Sequence, residues 1–218
     1  MNPLHFVTIL DKSESMDHLT DAVINGFNEF IAQQKIDTPN AKLSSVQFNH
    51  RVSEYFYGEP FEHVRPLDHR TYAPAGNTAL WDAIGQAVTD VADYVKRFPA
   101  RVLCAILTDG FENSSTEYNL ESVKRLVERM RAAGWEFIFM GSNQDATKTG
   151  PKLGILPKYC VSCQASAAST TAAFKTVSHA AQSFATGSFD QLALQDSYTL
   201  ALSKEQKNPR RNRRIVRR

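Results

Sequence analysis

"LDKSESMDHL", residues 10–19, follows the apolar run "LHFVTIL" (Leu4–Leu10) and decides how the chain is read. A continuous apolar run of that length reads as a strand buried on both faces. Directly after it, Asp11, Ser13 and Ser15 set one carboxylate and two hydroxyls on alternate positions. Alternate residues of an extended segment point the same way. Three hard oxygens therefore share one direction at the point where a strand ends.

Outward from this point, apolar runs alternate with helical patterns. Leu19, Val23, Phe27, Phe30 and Ile31 mark one face of a helix. "AKLSSVQFNH" and "RVSEYFYG" read as two strands joined by a tight turn near Asn49 and His50. Leu80, Ile84, Ala87, Val91 and Val95 mark a second helix closed by Pro99, and "RVLCAILT" is a buried strand. Leu120, Val123, Leu126, Val127 and Met130 give a third helix, which Gly134 ends. "WEFIFMG" and the short "KYCVSC" read as strands, and Ala165 to Ala185 as a last helix; residues 188–202 carry no readable pattern.

Such alternation predicts an α/β fold, a doubly wound and mostly parallel central sheet with helices on both faces. Ligands of these sheets gather at the carboxyl ends of the strands. Two further oxygens fall there. "RVLCAILTDG" ends its strand at Thr108, Asp109 and Gly110, and "AGNTAL" puts Thr78 just before the second helix. Taken singly, Ser13, Ser15 and Thr78 are helix caps and Asp109 a turn residue. Taken together they are five oxygens on one rim.

Asp11-x-Ser13-x-Ser15 after the first strand, Thr78 in "AGNTAL" and Asp109 in "LTDG" resemble the von Willebrand factor A (vWA) domain over roughly residues 3–185. The resemblance implies a Rossmann-like vWA fold. It also implies a metal-ion-dependent adhesion site (MIDAS) whose metal residues are Asp11, Ser13, Ser15, Thr78 and Asp109. The implied ion is Mg2+ or Mn2+, a hard cation that takes oxygen ligands and keeps several waters. In the family, the open position usually receives an Asp or Glu carboxylate of a partner protein. Lone vWA domains of bacteria and phages often serve as adaptors in larger assemblies, ATPase machines among them. The family commonly has small residues between the site's oxygens, whereas this chain has Lys12 and Glu14, both expected to face solvent. Glu14, Asn77, Gly110, Ser142, Asn143 and Asp145 make a candidate ligand-binding rim.

Composition narrows the rest. The 218 residues suit one large domain, with ordinary hydrophobic (42%) and charged (22%) fractions. No apolar stretch approaches transmembrane length, and the start lacks a signal-peptide pattern, so no membrane and a cytoplasmic location are expected. Three cysteines argue against a disulfide framework. Cys160-x-x-Cys163 has zinc or redox spacing but no second pair, and no nucleotide-binding loop is present. The domain boundary is set at residues 1–202. Residues 203–218 form a basic tail with two Lys, six Arg and one Glu, too polar to pack. Arg210, Arg211, Arg213, Arg214, Arg217 and Arg218 could bind a polyanion, so nucleic acid or an acidic partner is a second kind of expected contact.

Three functions stand in order: a non-enzymatic interaction module, a metal-assisted hydrolase, and a nucleic-acid-associated protein acting through its tail. The hydrolase needs a general base. Only Asp82 and Glu112 lie near enough in sequence, and both read as surface positions.

Overall fold

The structure, a computed structural model, describes residues 3–142 and 146–207. Asn143, Asp145 and the six tail arginines named above lie outside the described residues. Six strands form one sheet in the order β3-β2-β1-β4-β5-β6. They are β1 (Leu4–Asp11), β2 (Lys42–Phe48), β3 (Val52–Pro60), β4 (Arg101–Thr108), β5 (Glu136–Ser142) and β6 (Cys160–Cys163). All neighbours are parallel except β2 and β3, a hairpin on the sheet edge.

The sheet is central because its middle strands are apolar on both faces. Every residue of β1 after Leu4 is buried, and every residue of β4 after Arg101. Alternate β1 residues serve opposite layers. His5 meets the ring of Tyr94 edge-on at 5.1 Å, on helix α2 (Leu80–Arg97). Phe6 packs on Phe61, which also meets Phe30 of helix α1 (Thr20–Asp37). Helix α3 (Leu120–Ala132) lies beside α2 on one face, and α5 (Ala167–Thr186) beside α1 on the other. A short helix α4 (Ala146–Lys152) joins β5 to β6.

The unreadable stretch after residue 188 forms a turn and then α6 (Leu194–Lys207), which packs on α5 through Tyr198 and Ala201. This corrects the boundary set at residue 202. Helix α6 carries five residues into the stretch assigned as tail, and Glu205, 10% exposed, is ion-paired with Lys175 of α5. No helix among the described residues is long and apolar enough to cross a membrane.

Candidate metal centre

The chain runs from β1 to β2 on one side and later returns to β4 on the other, so the strand order reverses between β1 and β4. At such a switch point the loops leave in opposite directions and open a crevice. Asp11 ends β1, and Thr108 and Asp109 follow the register partner of Leu10, Leu107. Both carboxylates therefore meet at the crevice floor. The Thr108 hydroxyl donates to Asp11 Oδ2 at 2.5 Å, fixing the carboxylate across the strand pair.

The serines complete the cluster. The Ser13 N–H donates to Asp11 Oδ1 at 2.8 Å, which folds the turn back onto its own carboxylate. Ser13 Oγ and Ser15 Oγ share a hydrogen bond of 3.1 Å, and Ser15 Oγ donates to Asp109 Oδ1 at 2.6 Å. Thus Asp11, Ser13, Ser15 and Asp109 form one connected network. Thr78 arrives from a loop held by main-chain bonds. The Thr78 N–H donates to Asn113 Oδ1, and the Asn113 N–H donates back to Thr78 O. The Ala75 N–H donates to Lys12 O, the Glu14 N–H to Gly76 O, and the Ala79 N–H to Asn49 O. Gly76, at φ +75°, makes the turn in the region glycine tolerates.

Asp11, Ser13, Thr78 and Asp109 are 1–3% exposed, whereas Ser15 faces solvent. Burial pushes the Asp11 carboxyl above its usual range, and the nearby Asp109 charge adds to this. Burial does the same to Asp109. Asp109 Oδ2 is buried and accepts no hydrogen bond. A Cβ on Gly110 would stand 2.7 Å from Thr78 Oγ1 and 3.4 Å from Asp11 Oδ2, so glycine leaves the space between those two oxygens open. Two carboxylates short of compensating charge, three hydroxyls and an unfilled space are what a hard divalent cation requires. The residues fit such an ion. Among the described residues no cluster of three or more His, Cys, Asp or Glu side chains offers a metal site of another kind.

The rim residues divide. Glu14 and Asn77 are exposed beside the cluster, and Gly110 is buried within it. Ser142 instead lines a cavity of about 20 Å³ beneath Asp11, with Thr108 and Leu10. Lys12 does not face solvent freely as expected; its ammonium donates to Ser53 Oγ at 3.0 Å and is half-buried. Burial lowers its pKa.

Asp82 and Glu112 are likewise not plain surface groups. Asp82, 6% exposed, accepts the N–H groups of Thr116, Glu117 and Tyr118. Glu112 accepts from the N–H groups of Trp81, Ser114 and Ser115 and from the Ser115 hydroxyl. Both carboxylates hold the loop after β4 through these hydrogen bonds. Sequence reasoning assigns no site role to Thr108, Tyr72, Asn49 and Asn113. Tyr72 is fully buried and donates to Asp11 O at 2.5 Å. Only Thr108, beside Asp109 in "LTDG", carries a signal. Cys160 and Cys163 are free thiols that burial pushes up to about 12, so neither is a ready thiolate.

The von Willebrand factor type A domain family matches residues 6–180, and the chain belongs to that family. Three solved structures are similar to it. Proximal thread matrix protein 1 from the mussel byssus, with a zinc-occupied MIDAS motif, is 15% identical at TM-score 0.60, over 83% of this chain and 46% of that one. The pilus adhesin SpaC of Lactobacillus rhamnosus GG is 12% identical at TM-score 0.64, over 84% and 31%. The von Willebrand factor type A protein of Catenulispora acidiphila is 17% identical at TM-score 0.53, over 83% and 43%. This chain spans less than half the length of each. At these identities the likeness is one of fold. No curated protein matches the chain.

Proposed function

We propose that the chain is a divalent-cation-dependent protein-interaction module without catalytic activity of its own. Asp11, Ser13, Ser15, Thr78 and Asp109 hold the ion, directly or through water. The observation that carries this reading is Asp109 Oδ2, a buried carboxylate oxygen with no hydrogen-bond partner. Family membership supports it: vWA domains are metal-dependent interaction modules, and the mussel protein's MIDAS motif holds zinc.

A bound Mg2+ or Mn2+ supplies an electrophilic position able to accept a carboxylate oxygen from a partner. The residues of this chain do the rest. With at most one of the two carboxylates bound directly and the other reaching the ion through water, the cation stays incompletely neutralised at close range, so an outside Asp or Glu is attracted. Ser15, exposed, stands where such a group enters, and Glu14 and Asn77 flank it. The paired hydrogen bonds between Thr78 and Asn113 keep the loop that presents Thr78 in place before a partner arrives.

The hydrolase alternative lacks its base, since Asp82 and Glu112 are engaged with backbone N–H groups. The adaptor role rests on family analogy alone. The test is calorimetric titration of Mn2+ and Mg2+ into the EDTA-treated chain, followed by a short peptide bearing one glutamate. Saturable metal binding, with glutamate-dependent peptide binding only in the metal-loaded chain, supports the reading. A metal-loaded chain indifferent to the peptide's glutamate removes carboxylate capture.

A further inference from the structure

Away from the metal centre, helices α1 and α5 leave a groove between them on the outer face of the sheet. Two adjoining hollows of about 320 and 290 Å³ share Gly26, Glu29 and Lys175, and together extend from His18 to Asp37 along the whole of α1. At the centre of the groove α1 and α5 approach closely. Gly26 already lies under the Phe174 ring, which occupies the space of any Cβ. Asp21, Glu29 and Asp37 line this groove and are exposed. Its lysine, Lys175, is already neutralised by Glu205. The histidine near each end, His18 and His179, is hydrogen-bonded to Ser15 O and Ser197 Oγ. Among the described residues, the groove is thus an acidic channel with no cation left to balance Glu29 and Asp37; Asp21 has only the exposed His69 beside it.

Helix α6 brings the chain to this channel. Glu205, near the end of α6, lines the groove, and Lys207 is two residues further on. The next residues, 208–218, read "NPRRNRRIVRR", with six arginines and no acid. Eleven residues reach up to about 36 Å when extended. Helix α1, at 18 residues, is about 27 Å long. Reach, starting point and charge agree.

We propose that residues 208–218 return along the groove between α1 and α5, with their arginines against Glu29, Asp37 and Asp21. Guanidinium groups suit this role because they pair with carboxylates through two parallel hydrogen bonds. Docking withholds the arginines from polyanions, and added salt weakens it because most of the pairs face water. The other possible occupants, the tail of a second copy or an external basic segment, predict different behaviour.

The test uses the full chain and a labelled synthetic peptide of residues 208–218, read by fluorescence anisotropy at low salt. In one variant Arg210, Arg211, Arg213 and Arg214 are each changed to Gln, which empties the groove while leaving the fold intact. A tethered tail acts at roughly millimolar effective concentration. The variant is therefore expected to bind the peptide about tenfold more tightly than the unmodified chain. Adding Glu29→Lys and Asp37→Lys to that variant should remove the binding at unchanged melting temperature, both residues being exposed. Equal affinity in the unmodified and Arg→Gln chains overturns the proposal. So does the absence of any peptide binding, or binding that survives the two lysines. A dimer of the unmodified chain that dissociates on Arg→Gln substitution assigns the groove to a second copy's tail and also overturns it.

Discussion

Replacing Asp109 by Asn should reverse the order of two melting curves. In EDTA, wild type keeps two buried carboxylates close enough that each disfavours the other's charge, and Asp109 Oδ2 has no partner. An unsatisfied buried polar group costs about 1–3 kcal/mol, more when charged. Asn removes the charge and keeps an oxygen able to accept from Ser15 Oγ, now 2.6 Å from Asp109 Oδ1. The metal-free variant should therefore be more stable than metal-free wild type by about 1–2 kcal/mol. For a domain of this size each kcal/mol moves the melting temperature by about 2–4 °C, so the variant melts roughly 2–8 °C higher. Divalent metal reverses this. At a hundredfold excess over its dissociation constant, an ion that binds only the native state adds about 2.7 kcal/mol to wild type, or roughly 5–10 °C. Asp109→Asn, short of one anionic ligand, should gain almost nothing. Differential scanning calorimetry in EDTA and in excess Mn2+ or Mg2+ reads all four values. If the variant melts below wild type in EDTA, or keeps the metal shift, Asp109 is a structural hydrogen-bond acceptor and the metal reading fails.

Neighbouring groups give further outcomes. Gly110→Ala should cost about 1–3 kcal/mol as overpacking and abolish the metal-induced shift, because its Cβ would press on Thr78 Oγ1 at 2.7 Å; thermal melts with and without Mn2+ check both parts. His5, buried and hydrogen-bonded to Ser44, has its pKa lowered from 6.5 to about 4 by burial and by Lys42. The folded state therefore resists protonation: its contribution is complete above pH 6.5 and is lost as pH falls towards 4. The loss amounts to roughly 3 kcal/mol, and His5→Gln should flatten that part of the stability profile in urea titrations. In a screen of phosphoesters, peptides and nucleotides with Mn2+ present, turnover should be absent; turnover lost in Asp11→Ala would make the chain an enzyme.

The legible parts of this fold are those whose cause is local. Strands β1, β4 and β5 are continuous apolar runs because both of their faces are covered. The helices α1, α2 and α3 carry an apolar stripe because one face meets the sheet. Helix α6 is not legible. Its buried side chains, Leu194, Tyr198 and Ala201, are few, and their partners on α5 and β6 lie roughly twenty to forty residues back. The residues proposed to hold the metal can be read because Asp11, Ser13 and Ser15 are consecutive alternates and Asp109 directly follows a strand. The supports of Thr78 cannot, since Asn49 and Asn113 reach it from other loops. Lys12 departs from its expected exposure for the same reason: Ser53, its partner, sits on the hairpin strand β3.

The four acids near the strand ends divide into two pairs by the hydrogen bonds they accept. Asp82 and Glu112 are each surrounded by backbone N–H groups from the segment 112–118 or the start of α2, so their acceptor capacity is used. Asp11 and Asp109 receive hydroxyls and one N–H, and one oxygen is left over. N–H groups stabilise a carboxylate's charge where hydroxyls of Ser and Thr can reorient. The first pair thereby holds a loop, and the second pair is the one that the proposed function assigns to a cation. Because the first pair anchors the loop carrying Asn113, and Asn113 holds Thr78 at both its N–H and its carbonyl, the rim is positioned by carboxylates outside the proposed metal site. A partner's carboxylate would then meet a cation whose protein ligands are already oriented, and binding energy would go into the contact rather than into ordering the site.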